Sequence, residues 1–148
     1  MIRTATHDDI PRIIEMAQAF YATTNYPSIA PMTDEQAAGI AIITMESGVM
    51  LVADNDGELV GMVCIHVAPF IFNPSVMFPS EIAFWVEPKQ RGGTTAMRLL
   101  RSAEEALIVM NVPISRMAKL PNSPEAVEGM YRLMGYVPDE GYFMKALN

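Results

Sequence analysis

Cysteine, histidine and basic residues are scarce in this chain. Its 148 residues include one cysteine, two histidines and ten lysines and arginines, against seventeen acidic residues. One cysteine cannot close an internal disulfide, and Cys64 lies in an apolar stretch, so we interpret it as a small core residue. The formal net charge of −7 argues against a protein that holds a nucleic-acid backbone along many phosphates.

Long hydrophobic runs are also absent. No segment reaches the roughly eighteen apolar residues that a membrane span needs, and residues 1–9 lack the basic-then-apolar layout of a signal peptide. We therefore expect a cytoplasmic protein with no membrane partner. No group of histidine, cysteine and acidic residues has metal-ligand spacing, so we expect no metal. The hydrophobic content of 51% predicts a single globular domain over residues 1–148.

Capping signals predict the first two helices. Thr6 with Asp9, and Thr33 with Gln36, each have the spacing of a capping box ahead of an apolar-periodic segment. Gly48 is placed to end the second helix. The first half of the chain therefore starts with a helical pair.

Strands are predicted from β-rich runs. Residues 49–53 and 58–67 flank a turn sequence at 54–57, which predicts an antiparallel hairpin. Residues 2–5 favour a short strand, whereas residues 68–80, with three prolines, are too irregular for a helix and too apolar for a solvated linker.

The second half alternates strand and helix. The pattern predicts strands at 81–86, 113–120 and 142–147, and helices over 94–110 and from Ser123 to Gly135. The unit 81–120 is then a βαβ crossover, whose two strands are normally parallel. The expected fold is α/β, with a mixed, mostly antiparallel sheet of about six to seven strands flanked by about four helices.

The segment from Val86 to Leu100 is suited to an anion. A buried strand ends at Pro88, two glycines allow a tight turn, and a helix follows directly. The first amides of that helix lack intrahelical partners and its dipole is positive at this end, which suits a phosphate. Arg91 adds a fixed charge beside the turn.

The same segment carries a family resemblance. Val86-Glu87-Pro88 followed by Arg91-Gly92-Gly93-Thr94-Thr95-Ala96 resembles the signature of the GNAT superfamily of N-acetyltransferases, and the order of elements matches over nearly the whole chain. The first and last signature positions fit. Thr94 departs from the family's usual glycine, and it puts a Cβ and a hydroxyl where bare backbone normally meets phosphate. Gly93 compensates for this, or the threonine hydroxyls donate to the phosphate themselves.

The resemblance implies acetyl-CoA as cofactor. It places the pyrophosphate on the helix start and the remainder of the cofactor along the preceding strand. The implied cofactor-binding residues are Phe84, Trp85, Val86, Arg91, Gly92, Gly93, Thr94, Thr95, Ala96 and Asn122. In the family a distorted strand exposes an unpaired amide near Phe84 to Val86, which would stabilise an oxyanion.

Two catalytic residues follow from the resemblance. Tyr131, in the segment Tyr131 to Tyr136, matches the tyrosine that protonates the departing thiolate; alternatively it packs on its helix with its hydroxyl satisfied locally. An alkyl amine with a pKa near ~10.4 must lose a proton before it attacks a thioester. Glu81 matches the family's base, and alternatively it is a solvated residue at a strand end or a water chain takes its role.

The acceptor is the least defined part. The resemblance assigns the acceptor pocket to Tyr26, Phe70 and Phe72, and implies a small-molecule or peptide amine. Alternatively, residues 68–78 form a homodimer interface. The leading interpretation is acetyl transfer to a primary amine by direct attack. The alternatives are a non-catalytic acyl-CoA-binding or protein-interaction module on the same fold, and transfer onto a nucleobase, which the acidic charge makes less favoured.

Overall fold

A computed structural model describes residues 1–147, and over this range four helices and four strands form. In chain order they are β1 (Ile2–Thr4), α1 (Ile10–Thr23), α2 (Asp34–Ser47), β2 (Gly48–Asn55), β3 (Glu58–Phe70), β4 (Asn73–Val86), α3 (Thr95–Val109) and α4 (Ala126–Leu133). Short 3-10 turns precede α1 and lie at Tyr26–Ser28 and Pro88–Gln90. None of the helices in this range is long and apolar enough to cross a membrane.

Both predicted capping boxes are confirmed. The Thr33 hydroxyl accepts a hydrogen bond from the Gln36 amide at 3.2 Å, and the Gln36 side chain accepts one from the Thr33 amide at 2.8 Å. At the first box, the Asp9 carboxylate accepts from the Thr6 amide at 2.8 Å. Asp9 also pairs with Arg3 at 2.7 Å, and this partner holds its pKa down at about 2. The same carboxylate thus caps a helix and attaches it to β1.

The sheet is smaller and more uniform than expected. Its four strands run in the order β1-β2-β3-β4, and every neighbouring pair is antiparallel. The expected six to seven strands and the mixed sheet are therefore wrong for the described residues. Residues 68–80 are also not irregular, because β3 extends to Phe70 and β4 begins at Asn73. Their prolines are tolerated because this part of the hairpin has a free edge, where a missing N–H removes no ladder bond.

Residues 113–120 form no strand, so the predicted parallel βαβ crossover is wrong. Their backbone groups bond to side chains instead. The Ala118 amide donates to Glu81, and the Leu120 amide donates to the Ser123 hydroxyl. Residues 142–147 likewise have no assigned strand.

Two apolar clusters cover the two faces of the sheet. Alternate residues of β2 and β3 point to opposite faces, as the period of a strand requires. One set packs under α3, whose buried residues are Leu99, Leu100, Ala103 and Leu107. The other set packs under α1 and α2, around Met16 and Met62. The strand β4 is left at the edge of this sandwich, with one side open.

Candidate active site

A cavity of about 380 Å³ lies at the open side of β4. Its lining residues come from the end of β4, the turn before α3, the segment around Ala118, and α4. They are Phe20, Thr23, Glu81, Phe84, Trp85, Val86, Gln90, Arg91, Gly92, Gly93, Ala96, Met97, Ala118, Leu120, Asn122, Ser123, Pro124, Ala126, Val127, Gly129, Met130, Tyr131 and Leu133.

The start of α3 presents free amides at this cavity. Gly92 has a φ of +85°, a conformation that L side chains rarely adopt, so a glycine is strongly favoured at this turn. The first backbone bond of the helix runs from the Arg98 amide to the Thr94 carbonyl at 2.9 Å. Among the described residues, no group accepts a hydrogen bond from the amides of residues 92–97. This is the donor array that suits a phosphate.

Thr94 fits the turn without backbone strain. It is the N-cap residue of α3, with φ −93° and ψ −5°, and this negative φ is open to a residue with a Cβ. Its side chain makes no capping hydrogen bond within the described chain. The left-handed conformation that demands glycine falls at Gly92 instead. The departure from the family signature therefore leaves the backbone of the turn intact.

Arg91 is fixed from two sides. Its Nε donates to the Val86 carbonyl at 2.9 Å, and its guanidinium carbon lies 4.6 Å from the centre of the Trp85 ring. A cation over an aromatic face is stabilised by the ring quadrupole. The remaining guanidinium N–H groups have no acceptor among the described residues. The Trp85 indole N–H is also buried without a partner there.

The open edge of β4 supplies more free backbone groups. The Glu87 amide donates to the Val60 carbonyl at 2.9 Å. Because hydrogen-bonded pairs alternate along an antiparallel ladder, the amides of Val86 and Phe84 then point away from β3. No strand pairs with β4 on that side in residues 1–147. Unpaired amides are thus available between Phe84 and Val86. The distortion expected in this segment lies at an earlier position of β4.

The distortion is a β-bulge at Ile82. Glu81 pairs with Ile65 and Ala83 pairs with Cys64, so Ile82 is an extra residue in β4. Such a bulge breaks the alternation of side chains between the two faces. It therefore places Glu81 on the face opposite Ala83, at the first cavity. In a regular strand Glu81 and Ala83 would share a face.

The backbone of one residue, Ala118, joins the two candidate catalytic residues. The Ala118 amide donates to Glu81 Oε2 at 2.7 Å, and the Tyr131 hydroxyl donates to the Ala118 carbonyl at 3.1 Å. The segment that was predicted as a strand therefore positions both side chains. Ala118 was not identified from the sequence, because a backbone contact of this kind leaves no residue-type signal.

The surroundings of Glu81 and Tyr131 favour the neutral form of each side chain. Burial raises the pKa of Glu81 to about 7, while the Ala118 hydrogen bond opposes the shift. Burial also raises the pKa of the Tyr131 phenol, and the nearby Glu81 charge raises it further. At neutral pH Tyr131 is therefore a proton donor, and Glu81 is poised to accept or release a proton.

Most of the predicted cofactor residues meet at this cavity. Only Thr94 and Thr95 of that set are not among its lining residues, although they belong to the helix start beside it. Asn122 lies in the lining and donates to the Asn25 side chain at 3.4 Å, which links the turn before α4 to the loop after α1.

Of the predicted acceptor residues, Tyr26 lies apart from Phe70 and Phe72. Tyr26 lines a second cavity of about 140 Å³ between α1, α2 and the sheet. Phe70 and Phe72 lie at the tip of the β3–β4 hairpin, 5.4 Å apart between ring centres, and line neither cavity. Phe72 is 86% exposed. Phe20, which lines both cavities, carried no sequence signal beyond its apolar periodicity.

The fold, with an open strand edge beside a helix start, is that of an acetyltransferase, as the following sequence match shows. The sequence model of the acetyltransferase (GNAT) family matches residues 12–136. The chain belongs to this family. No curated relative matches the sequence significantly.

Solved structures give the same fold at low identity. A predicted acetyltransferase from Clostridium acetobutylicum, solved with acetyl-CoA, is similar at a TM-score of 0.75 and 14% identity, over 99% of this chain and 96% of that one. A ribosomal-protein-alanine N-acetyltransferase from Brucella melitensis is similar at 0.72 and 15%, over 99% of both chains. A transcriptional regulator from Bacillus halodurans is similar at 0.76 and 18%, over 99% of both. These likenesses concern the fold.

Acetyl-CoA is the acetyl donor of this family, and the residues present suit it. The cofactor carries a pyrophosphate, which matches the free amides of the α3 start and the unpaired guanidinium N–H groups of Arg91. The pantetheine arm contains amide groups, which can form hydrogen bonds with the free backbone groups at the β4 edge. The buried Trp85 N–H is one more donor without a partner among the described residues.

Proposed function

We propose that the protein transfers the acetyl group of acetyl-CoA to a primary amine by direct attack, with Glu81 as general base and Tyr131 as general acid. The observation that carries this proposal is the backbone of Ala118, whose amide and carbonyl bond to Glu81 and Tyr131 in the cavity beside the α3 start. Acetyl-CoA supplies an activated acetyl thioester when bound. The protein supplies the proton transfers, the orientation and the anion site.

The cofactor would be held by three sets of groups. The amides from Gly92 to Ala96, with the Thr94 and Thr95 hydroxyls nearby, would bind the pyrophosphate together with Arg91. The β4 edge at Phe84, Trp85 and Val86 would align the pantetheine arm. Asn122 lies in the same lining, and its amide side chain offers a donor and an acceptor.

Glu81 takes the proton of the amine in this scheme. Its pKa of about 7 lies well below that of an alkyl amine, and it is high for a carboxylate because the group is removed from water. A base poised near the working pH is the efficient choice, and such assistance is typically worth ~10² to 10⁴ in rate. The Ala118 amide keeps Oε2 occupied, so the other carboxylate oxygen is the one available to the amine or to an intervening water.

Tyr131 gives a proton to the departing sulfur. Its hydroxyl is neutral at physiological pH and already donates to Ala118 at 3.1 Å. This bond is longer than the usual 2.7–2.8 Å of an O–H···O contact. The hydroxyl can therefore turn from the Ala118 carbonyl to a better acceptor, and the conjugate phenolate is a strong base that regains its proton readily.

The base role is tested by the pH dependence of Glu81→Gln. The wild-type kcat/KM should rise with pH and level off above about 7, because only the ionised carboxylate accepts the proton. Glu81→Gln should lower kcat/KM by about 10² or more near pH 8, and its profile should lack that rise. Release of the free CoA thiol in the presence of an amine measures both.

Glu105→Gln is the matched control. Glu105 is an exposed residue of α3, and its substitution by glutamine makes the same change in charge away from the cavity. It should keep the wild-type rate and profile. If kcat/KM of Glu81→Gln still rises with pH up to about 7 as that of the wild type does, Glu81 is not the base. If the chain binds acetyl-CoA but no amine ever releases the thiol, it is a binding module instead of a transferase.

A further inference from the structure

The second cavity adjoins the first at the residue where chemistry is proposed. Its lining includes Ile82 and Ala83, the residues of the bulge, while the preceding Glu81 lines the first cavity. Consecutive Cα atoms are about 3.8 Å apart. Phe20 lines both cavities. A molecule in the second cavity would therefore extend past Phe20 into the first cavity, which Glu81 lines.

The second cavity has no charged group in its lining. The lining residues are Ile13, Ala17, Phe20, Tyr21, Tyr26, Met32, Ala37, Ile40, Ala41, Met50, Met62, Cys64, Ile82 and Ala83. The Tyr21 hydroxyl already donates to the Ala30 carbonyl at 2.6 Å. The Cys64 thiol donates to Thr44 at 3.4 Å, and burial raises its pKa to about 11.

This lining discriminates against polar acceptors. A second ammonium group or a sugar hydroxyl placed in the cavity would lose its water without gaining a partner, which is unfavourable. An apolar group gains from leaving water. The other hydroxyl in the lining belongs to Tyr26, a residue that is 41% exposed. Polyamines and aminoglycosides are therefore poor candidates for this site.

The size of the cavity limits the apolar group. A dry protein cavity of about 150 Å³ accepts one benzene ring, and the second cavity measures about 140 Å³. A single six-membered ring or a branched chain of about five carbons fills such a volume. Two fused rings do not fit without movement of the lining.

We infer that the acceptor is a primary amine that carries a single ring-sized apolar group, which the second cavity binds while the amine faces Glu81 in the first. This inference rests on the proposed function. Two sources share the chemistry, namely small arylalkyl or branched alkyl amines and peptides whose first residue has such a side chain. Burial of the apolar group in the second cavity would supply the free energy that selects such an amine.

A matched acceptor series tests the inference. Burial of a phenyl ring should raise kcat/KM for 2-phenylethylamine by roughly tenfold to a hundredfold over ethylamine. Putrescine should be no better than butylamine, because the second ammonium finds no partner. The peptide Phe-Gly-Gly, compared with Gly-Gly-Gly, distinguishes a peptide acceptor from a small amine. Equal rates for 2-phenylethylamine and ethylamine, or a preference for putrescine, would overturn the inference.

Two variants change the cavity in opposite directions. Ala17→Leu fills it and should cut the preference for 2-phenylethylamine over ethylamine by about tenfold, while acetyl-CoA still raises the melting temperature. Met32→Ala widens it and should improve 2-(1-naphthyl)ethylamine relative to 2-phenylethylamine, so the test stands even if the first variant does not fold. Ala22→Leu, an exposed position of the same helix, is the control and should keep the wild-type preference.

The two proposals fail in different ways. If polar amines release the CoA thiol faster than ring-bearing ones, the acceptor inference is wrong and the transferase function stands. If acetyl-CoA binds but no amine of either kind releases the thiol, the proposed function is wrong and the acceptor inference falls with it. If Ala17→Leu and Ala22→Leu keep the same preference, the second cavity does not select the acceptor.

Discussion

Glu81 and Tyr131 are coupled through the backbone rather than by direct contact. Glu81 bonds to the amide of Ala118 and Tyr131 bonds to its carbonyl, so a change at one side chain shifts the residue that orients the other. The negative charge of Glu81 also strengthens the hold of Tyr131 on its proton. Loss of the Glu81 charge on protonation therefore makes Tyr131 a slightly better acid, which helps the second half of the reaction.

Tyr131→Phe tests the acid role at the scale of one atom. The variant removes the hydroxyl and its bond to the Ala118 carbonyl, so we expect kcat to fall by about tenfold to a thousandfold. The affinity for acetyl-CoA should change little. The loss of one hydrogen bond should lower the free energy of unfolding by about 1 kcal/mol. Steady-state kinetics and titration with the cofactor measure these effects separately.

Tyr136→Phe is the matched control for that variant. Its hydroxyl is also hydrogen-bonded, to Ser115 at 2.6 Å, but Tyr136 does not line the first cavity. The control should lose similar stability and keep the wild-type kcat. Equal turnover in Tyr131→Phe and the wild type would remove Tyr131 from the acid role.

Part of the candidate site could be predicted from the types of its side chains, but the contributions of backbone groups could not be predicted. Glu81, Arg91 and Tyr131 could be chosen because their chemistry and motif positions indicate a role. Ala118 could not, because its contribution comes from an amide and a carbonyl that every residue has. The separation of Tyr26 from Phe72 was equally hidden, since it depends on how far the β3–β4 hairpin extends.

At the scale of elements, the turn before α3 depends on one glycine more than on the other. Gly92 adopts a left-handed φ of +85°, whereas Gly93 does not adopt such a conformation. A Cβ built on Gly92 meets nothing within 4 Å, and one on Gly93 comes no nearer than 3.8 Å to the Gln90 carbonyl. Space is therefore available at both positions, and the difference between them is conformational.

Gly92→Ala and Gly93→Ala form a matched pair for this turn. Gly92→Ala should lower the free energy of unfolding by about 1 kcal/mol or more, because alanine is strained in the left-handed region. It should also weaken acetyl-CoA binding, since relief of the strain would turn the free amides of the helix start. Gly93→Ala should be nearly neutral for stability. Thermal unfolding with and without cofactor compares them, and equal losses would mean that φ at Gly92 is not the determinant.

Elements with local causes were predictable, and elements with distant causes were not. The helices after Thr6 and Thr33 follow from side chains within three residues of the helix start, and they are confirmed. The strand through residues 73–80 was missed because its prolines favour a break, and only the free edge of the hairpin makes them acceptable. Residues 113–120 have a strand-like composition, but their amides find partners in Glu81 and Ser123.

At the scale of the whole molecule, net charge and ligand charge have the same sign. The chain carries a formal charge of −7, and acetyl-CoA is itself an anion. Long-range attraction therefore does not bring the cofactor to this surface, and the affinity must come from short-range groups at the α3 start. Salt should consequently weaken cofactor binding much less than it weakens binding to a basic surface.

Acetyl-CoA should stabilise the folded chain through Arg91 and the free amides rather than through general charge. Ligand at one hundred times its Kd adds about 2.7 kcal/mol, which for a domain of this size raises Tm by roughly 5–10 °C. Arg91→Gln and Arg101→Gln change the net charge equally, but Arg101 is an exposed residue elsewhere on α3. Only Arg91→Gln should lose much of the shift.

S-acetylpantetheine, which lacks the pyrophosphate, should produce a small shift with the wild type and with both variants. No shift with millimolar acetyl-CoA would exclude the proposed cofactor site, and equal losses in the two variants would show that overall charge, and not the turn before α3, governs binding.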